Sequence, residues 1–330
     1  IMHKATTADP FTMMSLVSAQ FLVLMGLAIY LVSRLFVDTL GRNMAAVIFT
    51  ILGGSSFGYL LWLPRCLIGD NRGWGEISGS LAQIQKGVIG TTSFINNAGG
   101  VAWIVAKYMH SNPMVIASVL FMLLVYFVLR YVEDRRGSWL ALSFVSLTGA
   151  LLFHAISGIA FMVISAPAVF VVWLMKRRSP DFGSFRPVLA LYAVFFLATI
   201  VSLPYLYPII GQRSEVQSMQ QGGGILAMMG SPVRRAAAIG MSCLVFIPLA
   251  IPSVASLARK RSPKNLFFLA MTAFLLLYTL FGPGTYHMMR KFYFYAFVLV
   301  AIMGSWTIPA VMKRFWTSLP KKLLLVFLMA

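Results

Sequence analysis

Residues 138–175 run for 38 positions with a single ionisable side chain, His154. As one α-helix this stretch would be about 57 Å long at 1.5 Å per residue, nearly twice the ~30 Å hydrocarbon core of a bilayer. A helix in a water-soluble domain is apolar along one stripe, not all round. The stretch is therefore expected to lie in a membrane and to fold back once, with the reversal at His154 and the small residues Ala155-Ile156-Ser157-Gly158 behind it. Seven further apolar stretches, at about 12–33, 44–63, 113–129, 188–210, 237–257, 265–283 and 293–311, are each close to the ~20 residues that span a bilayer. The expected fold is all-α: a polytopic membrane helix bundle, a single transmembrane domain over 1–330, with about nine to ten transmembrane helices. The tenth is the apolar run starting at Leu323. Because the chain begins with Ile1 and stops inside that run, it reads as a fragment truncated at both ends, with other spans ahead of it.

Charge sets the expected orientation. The chain carries 27 Lys and Arg against 8 Asp and Glu, a net charge of +19. In a soluble chain this surplus would suggest nucleic acid. Here the bases sit in short segments between apolar runs, so no nucleic-acid partner is expected. Segments 34–43, 130–137, 176–187, 258–264 and 312–322 hold 17 Lys and Arg in 48 residues, whereas 1–11, 64–112, 211–236 and 284–292 hold the other 10 in 95. This is the asymmetry of the positive-inside rule, and it arises only if 138–175 crosses twice. Arg34, Arg42, Arg130, Arg135, Arg136, Lys176, Arg259, Lys260, Lys313 and Arg314 then face the cytoplasm, where anionic lipids are the expected partners.

The remaining polar chemistry collects on the opposite side. Apart from His154, no proposed span holds an ionisable residue in its interior, whereas pumps and proton-coupled transporters carry such residues near mid-membrane. A site is expected to open to the extracytoplasmic side. In the long outer loop 64–112, Ile77, Leu81, Ile84 and Val88 recur at steps of four, three and four, which predicts an amphipathic helix on the membrane surface. Just before it, Arg65, Asp70, Asn71, Arg72, Trp74 and Glu76 crowd the mouth of a span, either as an interfacial anchor or as groups of a site. Loop 211–236, with Gln220-Gln221-Gly222-Gly223-Gly224, is expected to be flexible: a connector, or a loop that orders on substrate.

Tyr286, His287, Arg290 and Lys291 precede a ring-rich helix start at Tyr293-Phe294-Tyr295. Two cations at a helix N-terminus suit a phosphate or pyrophosphate, and they equally suit an interfacial pair in an aromatic belt. His154 either bonds a helix-end carbonyl or faces the same outer cavity as Arg290 and touches a phosphate or sugar hydroxyl. Cys66 and Cys243 give neither a disulfide framework nor metal spacing, and no Walker A or HExxH sequence occurs. No cofactor is therefore read from the sequence, with a divalent metal left open.

Three stretches together resemble the C-type (GT-C) superfamily of multi-spanning glycosyltransferases. They are the hairpin around Leu151-Leu152-Phe153-His154-Ala155-Ile156-Ser157-Gly158, the run Met289-Arg290-Lys291-Phe292-Tyr293-Phe294-Tyr295 leading into an apolar helix, and the long outer loop with its surface helix. The resemblance implies transfer of a sugar from a polyprenyl-phosphate carrier to an acceptor on the extracytoplasmic face of a plasma membrane, or of an endoplasmic reticulum membrane in a eukaryote. It implies a catalytic acid in a first outer loop, for which Asp9 stands near the loop's end and the principal acid falls upstream of Ile1; Asp70 and Glu76 are the reserves. It also implies that Arg290 and Lys291, with Tyr286, His287, His154 and Arg72, bind the substrate. Two other readings stay open: a flippase or exporter of lipid-linked oligosaccharide, and an O-antigen polymerase or ligase.

Overall fold

The computed structural model describes residues 10–52, 113–177, 185–219, 246–282 and 286–315. All nine elements among the described residues are helices: α1 (Pro10–Arg34), α2 (Leu40–Leu52), α3 (Pro113–Asp134), α4 (Gly137–Lys176), α5 (Arg186–Met219), α6 (Phe246–Lys260), α7 (Pro263–Phe281), α8 (Tyr286–Ser305) and α9 (Ile308–Phe315). Four helical segments are long and apolar enough to cross a membrane, Val115–Asp134, Gly137–Lys176, Arg186–Tyr207 and Pro263–Phe281, and a fifth arises if α8 and α9, bent by 40°, form one span. That is fewer than the nine to ten expected. The difference has identifiable sources: stretch 44–63 is described only to Leu52 and stretch 237–257 only from Phe246, the side chains of α1 are described in full only from Ala19, and α4 is one element containing a break. The surface helix expected in 64–112 lies outside the described residues; of the flexible loop expected at 211–236, residues 211–219 instead continue α5 as helix, and 220–236 lie outside the described residues.

The break in α4 falls at His154, whose φ of −157° and ψ of 86° are extended rather than helical. The chain reverses there. Residues 151 and 158 of a continuous helix would be about 10 Å apart along the axis, yet a Cβ placed on Gly158 would lie 3.1 Å from the backbone N of Leu151. Neighbouring helices register the same reversal. Gly149 on the first arm lies against Leu120 of α3, and Phe161 on the second arm meets the adjacent Phe121 edge-on at 5.5 Å. Positions 149 and 161 therefore share one level of the bundle. Along the second arm, Trp173 meets Phe185 at 4.9 Å and the Tyr192 hydroxyl donates to the Ala166 carbonyl at 2.9 Å, so α5 runs antiparallel to it.

α8 is the bundle's axis. Its residues from Phe292 to Met303 are each no more than 5% exposed, and α2, α6 and α7 pack around it. A helix apolar on every face is what such a position requires. The outward faces of other helices are apolar too: Val23, Phe196 and Phe281 are 72%, 67% and 65% exposed, a surface suited to lipid rather than water. Six hydroxyls in this apolar setting are satisfied by their own helix. Ser143, Ser165, Thr199, Thr272, Thr279 and Ser305 each donate to the carbonyl four residues earlier.

The short turns α3–α4 and α6–α7 and the ends of α1 and α4 put Arg34, Asp134, Arg135, Arg136, Lys176, Lys260 and Arg261 at one end of the bundle. Lys264 pairs with Glu133 across α7 and α3, and Arg130 pairs with Glu133 and Asp134 while lying 5.2 Å from the Trp139 ring centroid. Burial holds the Arg135 guanidinium below its ordinary range, with Tyr131 acting in the opposite direction. Beneath these charges sits a buried clasp. Trp306 Nε1 donates to Ser33 Oγ at 2.7 Å, Ser33 donates to Asn43 Oδ1 at 2.7 Å, and Asn43 Nδ2 donates to the Val37 carbonyl at 3.0 Å. It joins α1, α2 and the α8–α9 bend.

Candidate functional site

Ser157 bonds side chains rather than the carbonyl four residues earlier. Its Oγ lies 2.6 Å from His154 Nδ1 and accepts a hydrogen bond from the Tyr295 hydroxyl of α8. Tyr295 in turn bonds Ser118 of α3. Ser118, Ser157 and Tyr295 are each no more than 1% exposed, whereas His154 is only partly buried. The chain of polar groups thus runs from the middle of the bundle to the hairpin tip, linking three helices. Two features of the sequence make this possible. Gly158 lets the second arm approach Leu151 where any side chain would collide, and the extended backbone at His154 frees its ring to reach back to position 157.

Tyr295 is fixed from its other faces by rings. Phe121 stacks on it at 3.9 Å and 13°, and Phe294 meets it edge-on at 5.4 Å. Because α8 starts at Tyr286, its first turns bring Arg290 within five residues of Tyr295, about 7.5 Å along the axis. His154 and the N-terminus of α8 consequently occupy the same end of the bundle, opposite the basic turns.

An apolar groove of about 260 Å³ reaches this end. It is lined by Val163 and Ile164 of α4, Phe274, Leu277, Tyr278 and Phe281 of α7, and Gly282. Tyr278 stacks on Phe292 of α8 at 4.4 Å, so the groove wall joins the first buried turn of α8. Its mean position against the half-exposed Leu277 and the exposed Phe281 opens it to the apolar outer surface of the bundle.

Of the expected site residues, His154 is at the hairpin tip with its contacts described. Tyr286, His287 and Arg290 belong to the first turns of α8 and Lys291 follows them, with positions given by the helix alone. Asp9, Asp70, Arg72 and Glu76 lie outside the described residues. Among the described residues no three His, Cys, Asp or Glu side chains gather as a metal site would require. Sequence reasoning passed over Ser118, Ser157 and Tyr295. The signal for Ser157 was its position three after His154, one helical turn, where side chains meet; nothing local marks Ser118 or Tyr295.

No protein-family model, no curated protein and no solved structure matches this chain.

Proposed function

We propose that the chain is a membrane glycosyltransferase that moves a sugar from a polyprenyl-phosphate or polyprenyl-pyrophosphate donor to an acceptor on the extracytoplasmic side of the membrane. The observation that carries the reading is the joining of His154 to α8 through Ser157 and Tyr295, which sets a polar hairpin tip, a cation-bearing helix N-terminus and an apolar groove at one end of a membrane bundle. A lipid-linked sugar phosphate needs these three things together: apolar wall for its chain, cations for its phosphate, and neutral hydrogen-bonding groups for its sugar.

In this reading α4 crosses the membrane twice, the basic turns face the cytoplasm and its anionic lipids, and the site end faces a plasma membrane exterior or an endoplasmic reticulum lumen. Arg290 and Lys291, flanked by Tyr286 and His287, neutralise the departing phosphate as the glycosidic bond to it breaks. His154 bonds a phosphate oxygen or a sugar hydroxyl, and Arg72 joins from the outer loop. Asp9, Asp70 or Glu76 takes the acceptor hydroxyl's proton as that oxygen attacks the sugar.

The test is sugar transfer from radiolabelled polyprenyl-phosphate-sugar donors by the full-length protein in proteoliposomes, with a mixed acceptor extract. Arg290→Ala should lower transfer by about 100-fold or more, the scale seen when one charge-stabilising group is removed, without loss of insertion. Full transfer by Arg290→Ala would remove the phosphate assignment. Headgroup movement between leaflets with no transfer from any donor would overturn the enzyme reading in favour of a carrier.

A further inference from the structure

The hydrogen-bond chain that ends on His154 has a direction, and the direction fixes the protonation pattern of the imidazole. Ser157 Oγ has two partners, Tyr295 and His154 Nδ1. A serine hydroxyl carries one proton and can accept two. One orientation runs Ser118 to Tyr295 to Ser157 to Nδ1, each group donating to the next. The reverse would have Nδ1–H donate to Ser157, Ser157 to Tyr295, and Tyr295 to Ser118. Chemistry separates the two. A phenol, with its pKa near 10, is a far stronger donor than an aliphatic alcohol, and an imidazole nitrogen is a better acceptor than an alcohol oxygen. At the two links that Ser157 makes, the forward order gives the phenol's proton to an alcohol oxygen and the alcohol's proton to an imidazole nitrogen, each the better pairing, whereas the reverse mismatches both. Only the Ser118–Tyr295 link, the one furthest from the ring, runs from alcohol to phenol in the forward order. Low polarity around fully buried Ser157 and Tyr295 sharpens that preference, since hydrogen bonds strengthen and polarise one another where water is excluded.

Ser157 also has an alternative that it forgoes. Six other hydroxyls in these helices donate to the carbonyl four residues back, whereas Ser157 Oγ turns to the imidazole, 2.6 Å from Nδ1. Phe121 stacked on the Tyr295 ring keeps the phenol oxygen aimed at Ser157.

We propose that Tyr295 and Ser157, supported by Ser118, are positioning residues that hold His154 as the neutral tautomer with its proton on Nε2, so that the outer site offers a ring N–H to a phosphate oxygen of its lipid-linked ligand. This rests on the glycosyltransferase reading for the ligand, but not for the tautomer. A neutral donor at this place orients an anionic oxygen without competing with Arg290 and Lys291 for charge, a division of labour between orientation and neutralisation.

The tautomer is read directly by ¹⁵N magnetic resonance of histidine-labelled full-length protein in lipid bilayers, with the His154→Gln spectrum identifying the His154 signals among the four histidines. The wild type should show Nε2 protonated and Nδ1 bare. Tyr295→Phe, which keeps the ring stack, should raise the Nδ1–H population about tenfold, the effect of one lost hydrogen bond. Ser157→Ala should do the same, and Ser157→Thr should restore the wild-type spectrum. Adding a polyprenyl phosphate should shift the Nε2 signal in the wild type more than inorganic phosphate does. A wild-type spectrum dominated by Nδ1–H, or one unchanged in both Tyr295→Phe and Ser157→Ala, would overturn the lock; an Nε2 signal indifferent to polyprenyl phosphate would overturn the ligand half. These readouts need no turnover. A protein that transfers no sugar but keeps the tautomer pattern loses the enzyme reading alone.

Discussion

Each end of the bundle has its own buried hydrogen-bond chain, and the two chains end differently. At the basic end Trp306, Ser33 and Asn43 pass their protons inward to the Val37 carbonyl, so the series closes on backbone with all three side chains no more than 4% exposed. At the far end Ser118, Tyr295 and Ser157 are linked in series to an imidazole at a partly exposed hairpin tip. A chain that closes on itself holds helices together; a chain that ends on a titratable ring also serves whatever meets the ring. In lipid, where apolar contacts give little preference for one helix neighbour over another, polar links of both kinds gain weight in fixing geometry. Perturbations at the two ends should therefore separate stability from activity.

The largest effect is expected from Gly158→Leu, which breaks the far end altogether. A Cβ alone would sit 2.6 Å from the Leu151 side chain and 3.1 Å from its backbone N, and neither arm of α4 can yield without parting from α3 or α5. The cost should exceed about 4 kcal/mol, near the total stability of many domains. Limited proteolysis in detergent should show loss of the folded bundle; a wild-type digestion pattern would mean that the arms are not closely apposed.

Next in size is Asn43→Leu at the basic end. It strands the Val37 carbonyl and the Ser33 proton, and each unsatisfied buried group costs about 1–3 kcal/mol, so the pair costs at least about 2 kcal/mol. The unfolding midpoint should fall accordingly, while activity per folded molecule stays unchanged. Activity loss with an unmoved midpoint would erase the distinction between the ends. His154→Ala is its counterpart: because the ring is partly exposed it should cost less than Asn43→Leu, while lowering sugar transfer by about tenfold or more. Wild-type turnover in His154→Ala would leave the far chain with a purely structural role.

How much of this was readable in advance depends on the range of the interaction. The reversal at His154 was legible, because 38 apolar residues exceed the thickness of a bilayer and one imidazole marks their middle. The gathering of the basic turns at one end followed from charge counting. Span number was legible only in part: stretches 113–129, 188–210 and 265–283 each meet a helix long and apolar enough to cross, and 293–311 meets one only if α8 and α9, bent by 40°, form one span, a bend that hydropathy does not register. Least legible were the partners of His154. Ser157 was visible as a neighbour one turn away, but Tyr295 lies 138 residues further along, and one tyrosine in the ring-rich run 292–297 carries no mark of its own. The same holds for the clasp, where Trp306 and Ser33 are 273 residues apart.

The smallest prediction concerns two turns within the basic end. Arg135 and Arg261 both have positive φ, at 58° and 45°, a region that costs a residue with a side chain about 1–2 kcal/mol. Glycine removes that cost but gives back about 0.5–1 kcal/mol through its freer unfolded chain. At Arg261, an exposed residue, the balance favours glycine, and Arg261→Gly should raise stability by about 0.5 kcal/mol. At Arg135 the guanidinium is partly buried and lies 5.9 Å from the centroid of the Tyr131 ring, a contact worth about 0.5–1 kcal/mol that the same substitution would forfeit. Arg135→Gly should therefore be neutral or destabilising although its backbone strain is equally relieved. Unfolding midpoints of the two variants, measured side by side, check the sign of the difference. If both rise together, the Arg135 side chain adds nothing to the basic end.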